Sequence, residues 1–257
     1  MMPRCPAALP IMPLDPVLTD ALNLSLLVAG AFFGAIASGG AGFAFAVVAA
    51  SLWLHVFEPI RTTFLIVSCS VVLQTSMLWP MRHDIDFRRL WPFLAGGLLG
   101  IPIGVRLVVH TDPQSLKIAL GCFLILFGLY ALLAPRLPRV GGGRFWDLVI
   151  GFIGGVMGGV GGYSGIAPTI WTQLRHWPKN VARAIYQPFI LASQMTTLVL
   201  IGFVAFSAAD AVLLMIALPP LLAGAFVGWR IYGRLDERRF KQLIAALLIA
   251  SGATLVF

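Results

Sequence analysis

The sequence predicts an all-α polytopic membrane protein of two inverted repeats, each a re-entrant, broken helical hairpin followed by three transmembrane helices. Three observations carry that expectation: long runs without charge, an internal duplication, and a lopsided distribution of Lys and Arg. Of 257 residues, 59% are hydrophobic and 11% charged, whereas a soluble domain has roughly 45–50% and 25%. Residues 21–57, 62–81, 90–105, 118–135, 148–174, 184–209, 211–229 and 242–257 contain no Asp, Glu, Lys or Arg. Crossing a hydrocarbon core takes roughly 20 residues of helix, so most of these runs suffice. They lack period-two alternation and exceed the about 9–11 residues of a barrel strand, which argues against an outer-membrane barrel. The net charge of +8 sits in short clusters between apolar runs, which is the pattern of membrane topology rather than of nucleic-acid binding.

The elements follow in chain order. Residues 1–23 hold five prolines and one positive charge, Arg4; they make a poor signal peptide and are expected to be a disordered lead-in. The first repeat, 24–134, opens with a run that as one straight helix would be roughly 46 Å long, too long for a core of about 30 Å. Its centre, Ser38-Gly39-Gly40-Ala41-Gly42, is where a helix is weakest, because glycine costs about 1 kcal/mol against alanine. A hairpin over 24–54 with arms of about 14 residues, roughly 21 Å each, is expected. Spans near 60–80, 90–109 and 115–134 complete the repeat. After a cytoplasmic linker at 135–145, the second repeat, 146–257, has a hairpin over 148–174 broken at Gly161-Gly162-Tyr163-Ser164-Gly165. Its spans are expected near 183–204, 211–232 and 240–257.

The duplication is visible at an offset of 124, where Leu94, Leu98, Gly100, Gly104, Arg106, Asp112, Lys117 and Gly128 meet Leu218, Leu222, Gly224, Gly228, Arg230, Asp236, Lys241 and Gly252. Upstream the offset is about 121, pairing Gly30, Gly34 and Gly40 with Gly151, Gly155 and Gly161. Such repeats are a common plan of secondary transporters. With two hairpins and six spans, one side of the membrane receives 14 of the 18 Lys and Arg residues, whereas eight simple spans divide them 11 to 7. The positive-inside rule therefore favours hairpins, with the rich side cytoplasmic and both termini outside.

In each hairpin the returning half-helix begins within the membrane, so its first N–H groups are unpaired and its positive dipole end points inward. That is an anion site in principle. The candidates are the backbone of Gly40, Ala41, Gly42 and Phe43 and of Gly162, Tyr163, Ser164 and Gly165. Gly30, Gly34, Gly151 and Gly155 read as helix-packing residues. Polar side chains cluster at mid-depth: Ser68, Ser70, Gln74 and Thr75 in one half, Ser193, Gln194, Thr196 and Thr197 in the other. Gln74 and Gln194 are candidate donors to a substrate oxyanion, with helix-to-helix bonding as the plainer use. Arg106 and Arg230 end GxxxGxR stretches; snorkelling accounts for them, and attraction of an anion at two vestibules is the functional alternative.

No acidic residue lies inside a hydrophobic run, and His55, His83, His110 and His176 sit near run ends, so a buried carboxylate proton relay is unsupported. Cys5, Cys69 and Cys122 read as packing residues, and no CxxC, HExxH or Walker-type loop occurs; no metal or cofactor is expected. The expected partners are a small anion, the bilayer and, as an option, a second copy of the chain.

From about residue 24 onward the chain resembles the sulfite exporter TauE/SafE family of membrane permeases. The likeness rests on the repeat, on G-x-x-x-G-x-x-x-G-x-G-G from Gly151 to Gly162, on Pro168, and on GxxxGxR in both halves. The resemblance implies an inner-membrane secondary carrier, an exporter of sulfite, sulfonate, sulfoacetate or a related organic anion, with no enzymatic activity. Tyr163 and Ser164, and Ala41 in the first loop, depart from the family's glycine-rich pattern and bear on substrate choice. The rival readings are a passive anion channel, an accessory membrane subunit, and a rhomboid-like protease suggested by Gly162-Tyr163-Ser164-Gly165. The last lacks a general base, since His176 lies twelve residues beyond Ser164.

Overall fold

The structure, a computed structural model, describes residues 20–79, 82, 85–133, 140–205, 207–231 and 237–256. The expected lead-in up to residue 19, residue 134 at the end of the first repeat, and linker residues 135–139 lie outside the described residues. Among those described there are ten helices and no strand: α1 (Ala21–Ala41), α2 (Phe45–Trp53), α3 (Pro59–Leu78), α4 (Phe87–His110), α5 (Pro113–Leu133), α6 (Arg144–Gly161), α7 (Ile166–Leu174), α8 (Lys179–Ala205), α9 (Ala208–Ile231) and α10 (Glu237–Val256). Seven of them, α1, α3, α4, α5, α6, α8 and α9, contain stretches long and apolar enough to cross a bilayer.

Both expected breaks occur, but the arms are unequal rather than about 14 residues each. The first arm α1 has 21 residues and its return α2 has 9; α6 has 18 and α7 has 9. At 1.5 Å per residue the first arms are roughly 31 and 27 Å long and the returns roughly 13 Å. The helix also starts at Ala21, where the Asp20 carboxylate accepts from the Leu22 N–H at 3.0 Å, a cap that moves the start three residues upstream.

Each break turns on one glycine. Gly42 has φ +79° and donates its N–H to the Ser38 carbonyl at 2.7 Å; Gly162 has φ +77° and donates to the Gly158 carbonyl at 2.8 Å. This left-handed conformation ends a helix by satisfying its last carbonyls and is open to glycine at no steric cost. Both are the single-bond αL cap; in the second hairpin the Tyr163 N–H also reaches the Met157 carbonyl at 3.2 Å.

The return arms lie back along the first arms. Phe45 and Trp53 fill the space that side chains at Gly34 and Gly30 would need, and the Trp53 indole donates to the Leu27 carbonyl at 3.2 Å. In the second hairpin Ser164 lies against Gly154 and Gly158, while the Trp171 indole donates to the Asp147 carboxylate at 2.7 Å. Leu27 and Asp147 are 120 residues apart, so each hairpin is tied at a matching place by a tryptophan.

Each first arm packs on a span of the other half: α1 on α9, and α6 on α4. A methyl group added at Gly96, Gly100 or Gly104 would strike the carbonyls of Leu148, Phe152 or Val156, and one at Gly151 or Gly155 those of Phe93 or Gly97. The GxxxG glycines thus let two backbones touch. The remaining major contacts pair α3 with α8 and α5 with α10. Exchanging α1–α5 with α6–α10 carries each of these pairings onto itself or its counterpart.

Candidate functional site

The break in each hairpin is held by a glutamine 32 residues downstream. Gln74 on α3 donates from Nε2 to the Gly42 carbonyl at 2.8 Å, and Gln194 on α8 donates to the Gly162 carbonyl at 2.7 Å. Both side chains are buried, 3% and 1% exposed. A carbonyl at a left-handed residue points out of the helix ladder and needs a partner when buried. The amides supply one, and each retains a second N–H hydrogen for another acceptor.

Gly42 pairs with Gly162, and Gln74 with Gln194, at an offset of 120 rather than the 121 of the upstream glycine pairing. That register exposes two residues the sequence reading missed. Next to Gly42 are the Tyr186 hydroxyl and the Gln187 amide, 3.1 and 3.4 Å from where a side-chain carbon would sit. Next to Gly162, at the matching positions 66 and 67, are Ile66 and Val67, at 2.6 and 3.5 Å. One tip therefore faces a phenol and an amide, and the other faces two aliphatic side chains. An alignment at offset 120 would have paired these positions.

The two tips meet. Gly165 leaves room for Phe43, whose Cβ lies 2.7 Å from where a Gly165 side chain would begin. Phe43 also packs edge-on against Phe127, with ring centroids 6.3 Å apart, and Tyr163 lies tilted against Phe123, at 5.2 Å. Gly40 and Ala41 fall in the last turn of α1. The N-cap residues of the return helices, Ala44 and Gly165, make no side-chain cap, so the first-turn N–H groups of α2 have no capping acceptor; in α7 the Ile166 N–H donates to the Tyr163 carbonyl at 3.2 Å and Pro168 has no N–H, which leaves Ala167.

Unpaired buried atoms gather here. Ser38 Oγ, Ser164 Oγ, and the Oε1 atoms of Gln74, Gln187 and Gln194 have no hydrogen-bond partner, nor does Thr197 Oγ1 one turn past Gln194. Each such atom costs about 1–3 kcal/mol unless something satisfies it, and such a concentration in a native structure calls for an explanation. Other members of the mid-depth polar cluster are consumed locally: Ser68, Thr75 and Thr196 donate to carbonyls four residues back on their own helices.

Arg106 and Arg230 are exposed, near the ends of α4 and α9. The Arg106 carbonyl pairs with His110 at 3.0 Å, and the Arg230 guanidinium lies 5.8 Å from the Phe226 ring centre. Neither is among the residues around the tips. Two buried carboxylates were not anticipated: Asp210, 3% exposed, pairs with Arg61 at 2.5 Å, and Asp147, 7% exposed, with Arg175 at 3.4 Å. Both sit in the first turn of an apolar helix, just outside the charge-free runs. Among the described residues no group of three or more His, Cys, Asp or Glu side chains could hold a metal ion. Ser164 is fully buried without a partner. The described histidines are spent elsewhere, His55 on Thr254 at 2.7 Å and His110 on Arg106, or lie in the loop after α7, as His176 does.

Comparison with known proteins fits this architecture. The family model for "Sulfite exporter TauE/SafE" matches residues 26–255. A probable sulfite/organosulfonate exporter TauE of Cupriavidus necator is 27% identical over 240 residues, covering 90% of this chain and 91% of the relative. No solved structure matches significantly. The family is one of membrane permeases, which removes the protease reading of Ser164. Because the match runs through both hairpins and nearly the whole helical bundle, the chain belongs to the sulfite exporter TauE/SafE family.

Proposed function

We propose that the protein is a secondary carrier that exports a small sulfur-containing anion, sulfite or an organosulfonate such as sulfoacetate. The substrate class comes from the family and from the printed description of the relative. The single observation that carries the binding site is the meeting of two buried hairpin tips, each with an N-cap that makes no side-chain bond and a buried serine hydroxyl, Ser38 or Ser164, without a partner. The anion is held there by the first-turn N–H groups of α2, the Ala167 N–H of α7, the Ser164 hydroxyl, and the second amide hydrogens of Gln74 and Gln194. Helix N-termini are suited to anions because their N–H groups and dipoles both point at the ligand.

The two repeats are inverted, with the hairpins entering from opposite sides of the inner membrane. Both termini and the Arg61 end lie outside, and the arginine-rich loops lie in the cytoplasm. Transport proceeds by alternating access, the tips being exposed first to one side and then to the other. A difference between the halves supports this. On the outer side α2 packs on α10, where the Ser251 hydroxyl donates to the Ser51 carbonyl and His55 meets Thr254. At the matching place on the inner side, α7 and α5 are separated by an apolar cavity of about 390 Å³ lined by Phe123, Phe127, Tyr130, Ile170 and Trp171. In the alternating-access reading, the outer contact is the closed gate and this open apolar groove is where the inner side parts.

Labelled sulfite flux into proteoliposomes carrying the purified protein tests the reading, with sulfoacetate and taurine as competitors. Saturable, competed flux is expected. Flux that rises linearly with concentration favours a passive pore, and no flux from a folded protein removes sulfite as the substrate.

A further inference from the structure

A second constellation lies away from the tips. A cavity of about 480 Å³ is lined by Arg88 and Arg89 from the first turn of α4, Arg144 and Asp147 from the first turn of α6, and Arg175 at the end of α7, together with Asp86 and Trp177. Four guanidinium groups face two carboxylates. Asp86 is engaged by Arg89 at 3.2 Å, and Asp147 by Arg175 at 3.4 Å and the Trp171 indole at 2.7 Å. Arg88 and Arg144 form no ion pair among the described residues, so the cavity keeps about two positive charges unbalanced.

Its inner wall is built, while Asp86, Arg88, Arg89 and Arg144 stand exposed at its open rim. The chain leaves α7 through His176, at φ +51°, a left-handed conformation that is uncommon outside glycine and marks a position worth explaining. That turn brings the Trp177 N–H to the Thr172 carbonyl at 3.1 Å and lays the Trp177 ring beneath Arg175 and Arg89, 4.9 and 5.6 Å from their guanidinium carbons. Stacking on an aromatic face fixes a guanidinium plane while leaving its N–H edge free. The adjacent start of α6 is capped by Gly143, which offers no side-chain acceptor. Topology explains why basic residues lie on this side but not why they converge on one cavity. Arg82, nearby in sequence, is folded onto Trp79 instead, 4.6 Å from its ring centre. At the opposite mouth Arg61 and Asp210 balance one to one.

Between this cavity and the tips stands an apolar plug of Leu90, Phe93, Trp171, Ile185 and Phe189, with Phe189 touching Gly97 and Gly154. The two sites are therefore separate.

We propose that this arginine cavity is a second anion site, which binds an oxyanion group of charge −2 through the guanidinium edges of Arg88 and Arg144. Guanidinium forks match paired oxygens, and a doubly charged group neutralises the cavity where a monoanion leaves half the excess. Its position on the cytoplasmic side rests on the topology proposed above; its binding chemistry does not. The group belongs either to a soluble dianion or to a phosphomonoester headgroup of a lipid.

The test is equilibrium binding of labelled sulfate to the full chain in phosphatidylcholine nanodiscs, with inorganic phosphate and methanesulfonate as competitors. Saturable binding is expected, displaced by phosphate and at least about tenfold less well by methanesulfonate. R88Q and R144Q should each weaken it roughly tenfold, in line with charged hydrogen bonds, whereas R82Q should not. In a second arm, native mass spectrometry asks whether phosphatidic acid is retained by the wild type and lost from R88Q/R144Q; that result without sulfate binding assigns the group to lipid. The absence of both sulfate binding and retained lipid overturns the proposal. So does sulfate binding that survives R88Q/R144Q. Because the readout is binding and not flux, failure of the carrier reading leaves this result independent.

Discussion

Replacing Gln194 with methionine isolates what the tip glutamine does. Methionine is unbranched, of similar length and adaptable, so packing in the α3 and α8 seam changes little. What goes is the 2.7 Å bond to the Gly162 carbonyl, which stays buried without a donor, together with the second amide hydrogen assigned to the anion. Leaving a buried acceptor unpaired costs about 1–3 kcal/mol, and 1.4 kcal/mol is a factor of ten in population. If binding requires the ordered tip, apparent affinity falls by the fraction of molecules that keep it, so the Michaelis constant for sulfite flux should rise by up to roughly 150-fold. The matching change at Gln74 should act alike through Gly42, and both together should exceed either. Flux is measured in proteoliposomes beside thermal unfolding in detergent. An unchanged Michaelis constant in a folded Gln194→Met protein would refute the link between the glutamine, the tip and the site.

Other outcomes follow from the same geometry. Gly100→Ala drives a methyl group into the Phe152 carbonyl and should lower stability by about 1–3 kcal/mol through overpacking, seen as a lower melting temperature; Gly202→Ala, with nothing within 4 Å, should not. Arg61→Gln leaves the Asp210 carboxylate buried and short of its charge partner, costing about 3–5 kcal/mol, whereas Arg61→Met with Asp210→Leu should recover much of the melting temperature. Cross-linking Ser51→Cys to Ser251→Cys should arrest flux until a reductant is added, because the outer gate must part. Single cysteines in the 81–89 and 233–239 loops, in a chain whose Cys5, Cys69 and Cys122 are replaced, should resist an impermeant reagent applied from outside; labelling there contradicts the topology.

The breaks were legible because glycine is the one residue that signals a backbone conformation by its identity alone. Gly42 and Gly162 lie within the stretches where the helices were expected to fail. The unequal arms were not legible: charge-free runs mark what lies within the membrane but not where along the run the chain turns. The glutamines were found because polar residues at depth stand out, yet their bonds to the tip carbonyls depend on a register that glycines, recurring every three or four residues, fix only to within a residue. Tyr186 and Gln187 were hidden for that reason. The arginine cavity was hidden because a positive-inside loop and a convergent binding site have the same composition. Only the fold brings Arg88, Arg144 and Arg175, up to 87 residues apart, to one place.

Counterflow tests the central claim most directly. Proteoliposomes are loaded with labelled sulfite, and its loss is followed with and without unlabelled sulfite outside. A carrier that exposes one site alternately to the two sides should release label faster when external substrate returns the loaded site inward. Loss unaffected by external sulfite would contradict alternating access and leave the two tips lining a passive pore.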